Sequence, residues 1–71
     1  MSWNYRVIKF ADHIALHEVY YDAAGKPDSW SSHAACLADG EDVGEIERQL
    51  TLALDGLRKP VLTVVEGKIY E

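Results

Sequence analysis

The sequence predicts one α+β domain, in which a three-stranded antiparallel meander precedes a single amphipathic helix and a C-terminal strand. Three patterns predict this fold: two consecutive segments of alternating apolar and polar residues, a turn signal after the second, and a helical repeat over residues 43–57. At 71 residues the chain is short for a single hydrophobic core. We therefore expect association into a homodimer, through the open sheet face or a terminal strand, to add to its stability.

The first strand is predicted from Trp3 to Phe10, where aromatic and β-branched residues dominate. Residues 11–13 can turn the chain into a second strand, Ile14 to Tyr21, whose side chains alternate between two faces. Residues 22–27 include the Asp and Gly that chain reversals use, so the third strand is predicted at Ser29 to Ser32.

The helix is predicted to begin after Asp42, because Asp is a preferred N-cap residue and Glu45 follows three positions later, as in a capping box. Leu52 points away from the main apolar row, so we expect it to be exposed, either as a lone surface residue or in a partner interface. Pro60 ends the helix. The residues of the apolar row, which we expect to lie on the sheet, are Val43, Ile46, Leu50, Ala53, Leu54 and Leu57.

The chain after Pro60 has two alternatives. Residues 60–65 are mostly apolar and β-branched, which predicts a strand. The tail, residues 63–71, then either adds a short hairpin or presents an exposed strand edge to a second copy.

Composition excludes several classes of function. The formal net charge of −5 argues against direct binding to nucleic acid or to an anionic membrane. No segment is long and apolar enough to span a bilayer, and the first residues do not resemble a signal peptide. A single cysteine, Cys36, excludes an internal disulfide and suits a reducing compartment. We expect a cytoplasmic protein that binds no cofactor.

The residues that could carry catalysis lack a recognisable arrangement. No ligand pair such as Cys-x-x-Cys supports a metal site, and no nucleophile motif surrounds the serines or the cysteine. We therefore predict that the protein is not an enzyme. The candidate metal ligands are His13, His17, His33 and Cys36. The candidate nucleophiles are Cys36, Ser29, Ser31 and Ser32, with His17 or His33 as base and Glu18 or Asp28 orienting it.

Two surface features favour binding to a protein. Residues 39–47 contain five acids and no base, and helix capping accounts only for Asp42 and Glu45. One helix cannot cover both faces of a sheet, so some aromatic side chains stay available to a partner. The predicted partner-binding residues are Asp39, Glu41, Glu47, Leu52, Tyr5, Tyr21 and Trp30.

The chain resembles a widespread family of short, uncharacterised bacterial proteins. The segments that carry the resemblance, beside the capped helix, are Asn4–Ile8, His17–Asp22, Gly25–Pro27, Ser29–Trp30 and Lys59–Leu62. More distantly, the order β-β-β-α-β is similar to the N-terminal domain of HicB-type antitoxins, which has a truncated RNase H-like fold. This likeness implies a HicB-like architecture and carries no catalytic residues. It does not extend to the DNA-binding segment of those antitoxins.

These observations predict a small non-catalytic protein-interaction module, antitoxin-like or inhibitor-like, with a protein partner of unknown identity. One alternative is a phage or mobile-element inhibitor, of the anti-CRISPR type, that acts on a nucleic-acid-handling defence complex through an acidic or aromatic surface. An alternative from another class is a small hydrolase or metal-dependent enzyme, which a convergent pocket holding His17 or Cys36 would favour.

Overall fold

The computed structural model describes residues 2–37 and 39–71. In chain order its elements are β1 (Trp3–Lys9), β2 (Ile14–Tyr21), β3 (Pro27–Trp30), α1 (Val43–Leu57), β4 (Leu62–Val65) and β5 (Lys68–Tyr70). Within the described residues no helix is long and apolar enough to cross a membrane.

The strands form one five-stranded mixed sheet in the order β3-β2-β1-β4-β5. β1, β2 and β3 pair antiparallel, and so do β4 and β5, but β4 lies parallel to β1, with Leu62 opposite Ile8. The two outer strands, β3 and β5, contact each other, so the sheet curls into a nearly closed barrel.

The predicted fold class is therefore wrong. The element order is β-β-β-α-β-β and the sheet is mixed, so neither the isolated three-stranded meander nor the HicB-like β-β-β-α-β arrangement describes it. The physical reason is that α1 carries the chain back to the open side of β1, where β4 pairs with it in parallel. Alternation of side chains along a strand says nothing about which neighbour the strand selects.

The turns follow the sequence prediction. At the first turn the Phe10 amide donates to the His13 carbonyl over 2.8 Å. In the second, the carboxylate of Asp22 accepts from the amides of Ala24 and Lys26, and Gly25 takes a φ of 80° that favours glycine. Because this turn closes at residue 26, the third strand begins at Pro27 rather than at the predicted Ser29.

The hydrophobic core lies inside the curled sheet. Ile8, Val19 and Leu62 are fully buried there, and register places all three on one face. The half-buried residues packed around them are Phe10, Tyr21, Trp30, Val64 and Ile69. The predicted tail hairpin, β4 with β5, supplies the last two of these, with Gly67 at positive φ in its turn.

A polar cluster lies beside this core. The buried Arg6 guanidinium donates to the hydroxyl of Tyr21 over 2.9 Å and to the carbonyl of Pro60 over 2.7 Å. The Tyr21 hydroxyl in turn donates to Asn4 Oδ1 over 2.7 Å. Arg6 thereby ties the start of β4 to β1 and β2.

α1 packs on the outer face of the sheet, against β1. Its buried residues are the small ones, Ala53 and Gly56, and a side chain at Gly56 would overlap the carbonyl of Tyr5. The expectation that the large apolar row lies on the sheet is wrong, since Leu50 is 51% exposed and the other large members of the row, apart from Ile46, are also exposed. Large side chains facing β1 would hold the helix too far from the strand for this contact.

The predicted boundaries and N-cap of α1 are confirmed. Asp42 has extended backbone angles, and its Oδ1 accepts from the Glu45 amide over 2.8 Å. The return bond differs from a standard capping box, because Glu45 Oε2 accepts from the amide of Glu41 rather than that of Asp42.

Candidate functional site: an aromatic and acidic cleft

A cleft of about 460 Å³ lies between α1, the first residues of β1 and the segment that leads into the helix. We call it the Trp3 cleft. Its lining residues are Trp3, Tyr5, Cys36, Asp39, Glu45, Arg48, Gln49 and Leu52.

The local structure explains why these residues meet. Alternation along β1 puts Trp3 and Tyr5 on the outer face, opposite the core residue Ile8. On α1, steps of three and four residues place Glu45, Arg48 and Leu52 on one side of the helix. The remaining wall is held by Gln49, whose Nε2 donates to the carbonyl of Asp39 over 3.2 Å.

Aromatic rings form the floor of the cleft. The rings of Trp3 and Tyr5 meet edge to face, with centroids 5.3 Å apart. Tyr5 is buried, whereas 47% of Trp3 is exposed. Tyr20 lies opposite Trp3 in the register of β1 with β2, so the aromatic surface continues onto the second strand. Exposed aromatic surface next to apolar Leu52 is typical of binding anchors.

A carboxylate lies within this aromatic surface. Glu18 faces Tyr5 across the strand pair and accepts from the Tyr20 hydroxyl over 3.3 Å. Desolvation, followed by the negative charge of Glu18, raises the pKa of Tyr5. The pKa of Tyr20 is raised by the same two causes and by its hydrogen bond to Glu18. Both phenols therefore stay protonated at neutral pH.

The charges around the cleft are unbalanced. Asp39 and Glu45 line it, and Glu18 lies beside it, opposite Tyr5 in the strand register. None of the three forms an ion pair with another residue among 2–37 and 39–71. Arg48 is the basic residue of the lining. The surface is therefore aromatic with an excess of negative charge, which suits a cationic group.

The structure brings together only part of the predicted partner-binding set. Tyr5, Asp39 and Leu52 line the Trp3 cleft, and Leu52 is exposed as predicted. Glu41 is exposed in the loop before α1. Glu47 is exposed on the far side of the helix, about 200° around the axis from Glu45.

Tyr21 and Trp30 lie elsewhere, on the inner face of the sheet, where they pack around the core. Sequence reasoning missed Trp3, Glu18 and Arg48 as parts of the surface. The signal for Trp3 was its position two residues before Tyr5, which places both on one strand face. For Arg48 it was the four-residue step to Leu52.

Two of the candidate catalytic residues, His17 and Ser31, hold the end of a strand in place. His17 is buried, and its Nδ1 lies 2.9 Å from the carbonyl of Ser31 and 3.2 Å from the Ser31 hydroxyl. Because the carbonyl can only accept, Nδ1 carries the proton and cannot remove one from Ser31. The Ser31 hydroxyl donates to the carbonyl of His33 over 2.8 Å. These bonds hold the end of β3 beside β2.

The other candidates are separated in space. Cys36 is exposed in the Trp3 cleft on the outer side of the sheet, whereas His17 lies on the inner face beside Arg6. His13 contacts Asp12 over 2.8 Å and stacks on Phe10. Among the residues that the structure describes, no three His, Cys, Asp or Glu side chains are grouped to hold a metal ion.

Comparison with known proteins leaves the cleft as the basis for inferring function. The predicted resemblance to short bacterial proteins stays a prediction, whereas the architecture implied by the likeness to HicB-type antitoxins is the one that the mixed sheet contradicts. None of the family models, curated proteins or solved structures compared with the chain matches it.

Proposed function

We propose that this chain is a non-catalytic, cytoplasmic protein-interaction module, inhibitor-like or antitoxin-like, that binds a basic segment of a partner protein in the Trp3 cleft. The observation that carries the proposal is the exposed ring of Trp3 in a cleft lined by two carboxylates, Asp39 and Glu45, that form no ion pair within the described residues.

Each part of the cleft has a role in this proposal. A Lys or Arg side chain of the partner stacks on the exposed face of Trp3, an interaction worth about 0.5–2 kcal/mol. Asp39 and Glu45 balance its charge. Leu52 packs against a neighbouring apolar side chain, and Arg48 donates to a carbonyl or carboxylate oxygen of the partner, which fixes the direction of the bound segment.

The charge of the whole chain supports a partner of this kind. A net charge of −5 attracts a basic surface and speeds its association. Basic surfaces are typical of proteins that handle nucleic acids. A module bound there covers the surface that nucleic acid would occupy, and this is the basis of the inhibitor-like role.

Titration with a defined probe, followed by NMR, tests the proposal. The probe is a short peptide in which Arg and Leu alternate, and the matched control has Glu in place of Arg. We expect saturable shifts at the Trp3 indole N–H and at the amides of Tyr5, Arg48 and Leu52 with the Arg peptide only. The affinity should fall with added salt, because the Debye length shrinks from about 10 Å at 0.1 M to about 3 Å at 1 M.

Two variants with the same change in charge provide the control. Asp39→Asn removes a charge from the cleft and should weaken binding about twofold to fivefold, whereas Glu47→Gln removes one from the far side of α1 and should change little. Trp3→Leu keeps an apolar residue without the ring face and should weaken binding about tenfold. Equal binding of the Glu peptide, or equal effects of the two charge variants, would contradict the proposal.

A further inference from the structure

One side of α1 presents four exposed large apolar side chains. Val43, Leu50, Leu54 and Leu57 are 80%, 51%, 49% and 56% exposed. Their spacing of seven, four and three residues aligns them along the helix, and we call them the exposed helix stripe. Leu52, in the Trp3 cleft, lies about 200° around the helix from Leu50, so the stripe and the cleft occupy different sides.

The arrangement of the exposed helix stripe is that of a packing surface. Single exposed apolar residues are ordinary on protein surfaces, but a continuous row along a helix is typical of an interface. Val43, Leu50 and Leu57 repeat every seven residues, which is the repeat of helices that pack side by side.

Two charged residues along the edge of the exposed helix stripe indicate which molecule packs on it. Glu47 stands on this edge near the start of α1 and Arg58 at its end. Neither forms an ion pair with any residue in 2–37 or 39–71. Two copies of α1 side by side in antiparallel order bring each Glu47 next to the Arg58 of the other copy. Parallel order would leave Glu47 of one copy about 16 Å along the axis from Arg58 of the other, and would align the two helix dipoles.

We propose that a second copy of this chain docks on the exposed helix stripe, with the two α1 helices antiparallel about a twofold axis. The axis lies near the midpoint between Leu50 and Leu54, so Leu50 of each copy packs against Leu54 of the other. Such an interface is closed, because each copy uses the same patch. The Trp3 cleft stays open on the opposite side of each helix, and this proposal does not rest on the proposed function.

The size of the stripe sets the expected affinity. A helix of 15 residues is about 22 Å long, and contact along its length buries less than the roughly 800 Å² per partner of a standard interface. We expect a reversible dimer with a dissociation constant between about 10 µM and 1 mM.

Sedimentation velocity of the full chain, in reducing buffer because Cys36 is exposed, tests the proposal. The wild-type protein should pass from monomer to dimer as its concentration rises to about 1 mM. Leu50→Glu should weaken dimerisation at least about tenfold, because two carboxylates then meet near the axis. Leu52→Glu is the matched control, since Leu52 is 52% exposed on the same helix, and it should dimerise like wild type.

A charge exchange tests the orientation. Glu47→Lys and Arg58→Glu should each weaken the dimer about threefold to tenfold, and the double variant should restore it. Circular dichroism checks that each variant folds, and Leu57→Glu replaces Leu50→Glu if that variant does not. A wild-type monomer at about 1 mM, a dimer that Leu50→Glu or Leu57→Glu leaves intact, or no rescue by the double variant would overturn the proposal.

Discussion

At the scale of single residues, Gly56 determines how closely α1 approaches the sheet. The helix meets β1 where Gly56 faces the backbone carbonyl of Tyr5. Glycine is normally unfavourable inside a helix, by roughly 1 kcal/mol relative to alanine. Its presence here is explained by the contact, which leaves no room for a side chain.

Gly56→Ala should therefore destabilise the fold by about 1–3 kcal/mol, despite the better helix propensity of alanine. The added methyl group forces α1 away from β1, since backbone cannot yield as a flexible side chain can. Urea unfolding measures the effect. Gly44→Ala is the control, because Gly44 is exposed in the same helix and a side chain there meets only the Asp42 carboxylate at 3.3 Å. Equal losses in the two variants would show that the close contact does not limit the packing.

At the scale of elements, the helix and the core are separate. The core is enclosed by the curled sheet around Ile8, Val19 and Leu62, and α1 covers the other face of β1 with small residues. The most apolar side of α1 is therefore left for other contacts. An amphipathic helix need not turn its most apolar side towards its own domain.

This arrangement predicts opposite results for two leucines. Leu62→Ala should destabilise the protein by about 2–5 kcal/mol, because Leu62 is fully buried and its loss leaves a cavity. Leu50→Ala should cost less than about 1 kcal/mol in dilute monomer, because half of Leu50 is exposed. Urea unfolding at low protein concentration measures the loss of stability in both variants. If both variants lose the same free energy of unfolding, Leu50 belongs to the core and not to an exposed helix stripe.

At the scale of the whole molecule, the two edge strands of the sheet contact each other. β5 meets β3, and Ile69 and Trp30 pack against the same core cluster from opposite ends of the strand order. Closure in this way reduces the open strand edges that favour aggregation.

Removing one side chain of β5 should therefore change the solvent exposure of Trp30 in β3. In a Trp3→Phe background, Ile69→Ala should shift the emission of Trp30 to the red, because water gains access to its ring. Tyr70→Ala should leave the emission unchanged, since Tyr70 is exposed on the outer face. The emission spectrum of the folded protein is the measurement, and identical spectra for both variants would show that the ends of the sheet are not coupled.

Local features were predictable from the sequence and long-range pairings were not. The Asp22 to Gly25 turn, the Asp42 cap and the bounds of α1 depend on neighbouring residues, and the structure confirms them. The side of α1 that meets the sheet is decided by the space at Gly56, which a count of apolar residues misses. The parallel neighbour of β1 is likewise set by the path of the whole chain.

In the Trp3 cleft, too, the local features were predictable from the sequence and the long-range contacts were not. Trp3 and Tyr5 share a strand face by simple alternation, and Arg48 and Leu52 share a helix face by their spacing. The meeting of these two faces depends on how α1 crosses β1. Tyr21 and Trp30 were predicted as partner anchors, but they pack around the core. The presence of aromatic residues in a strand does not reveal that the sheet curls around its inner face.

The parallel pairing of β1 with β4 also has a consequence for the order of folding. Arg6 and Pro60, which are hydrogen-bonded, are 54 positions apart, and closing so long a loop carries an entropic penalty before any contact forms. Ile8 therefore has no partner in β4 until nearly the whole chain is in place. We expect the β1–β2 hairpin and α1 to form early and the arrival of β4 to limit the rate. Until then, a newly made chain exposes the edge of its central strand.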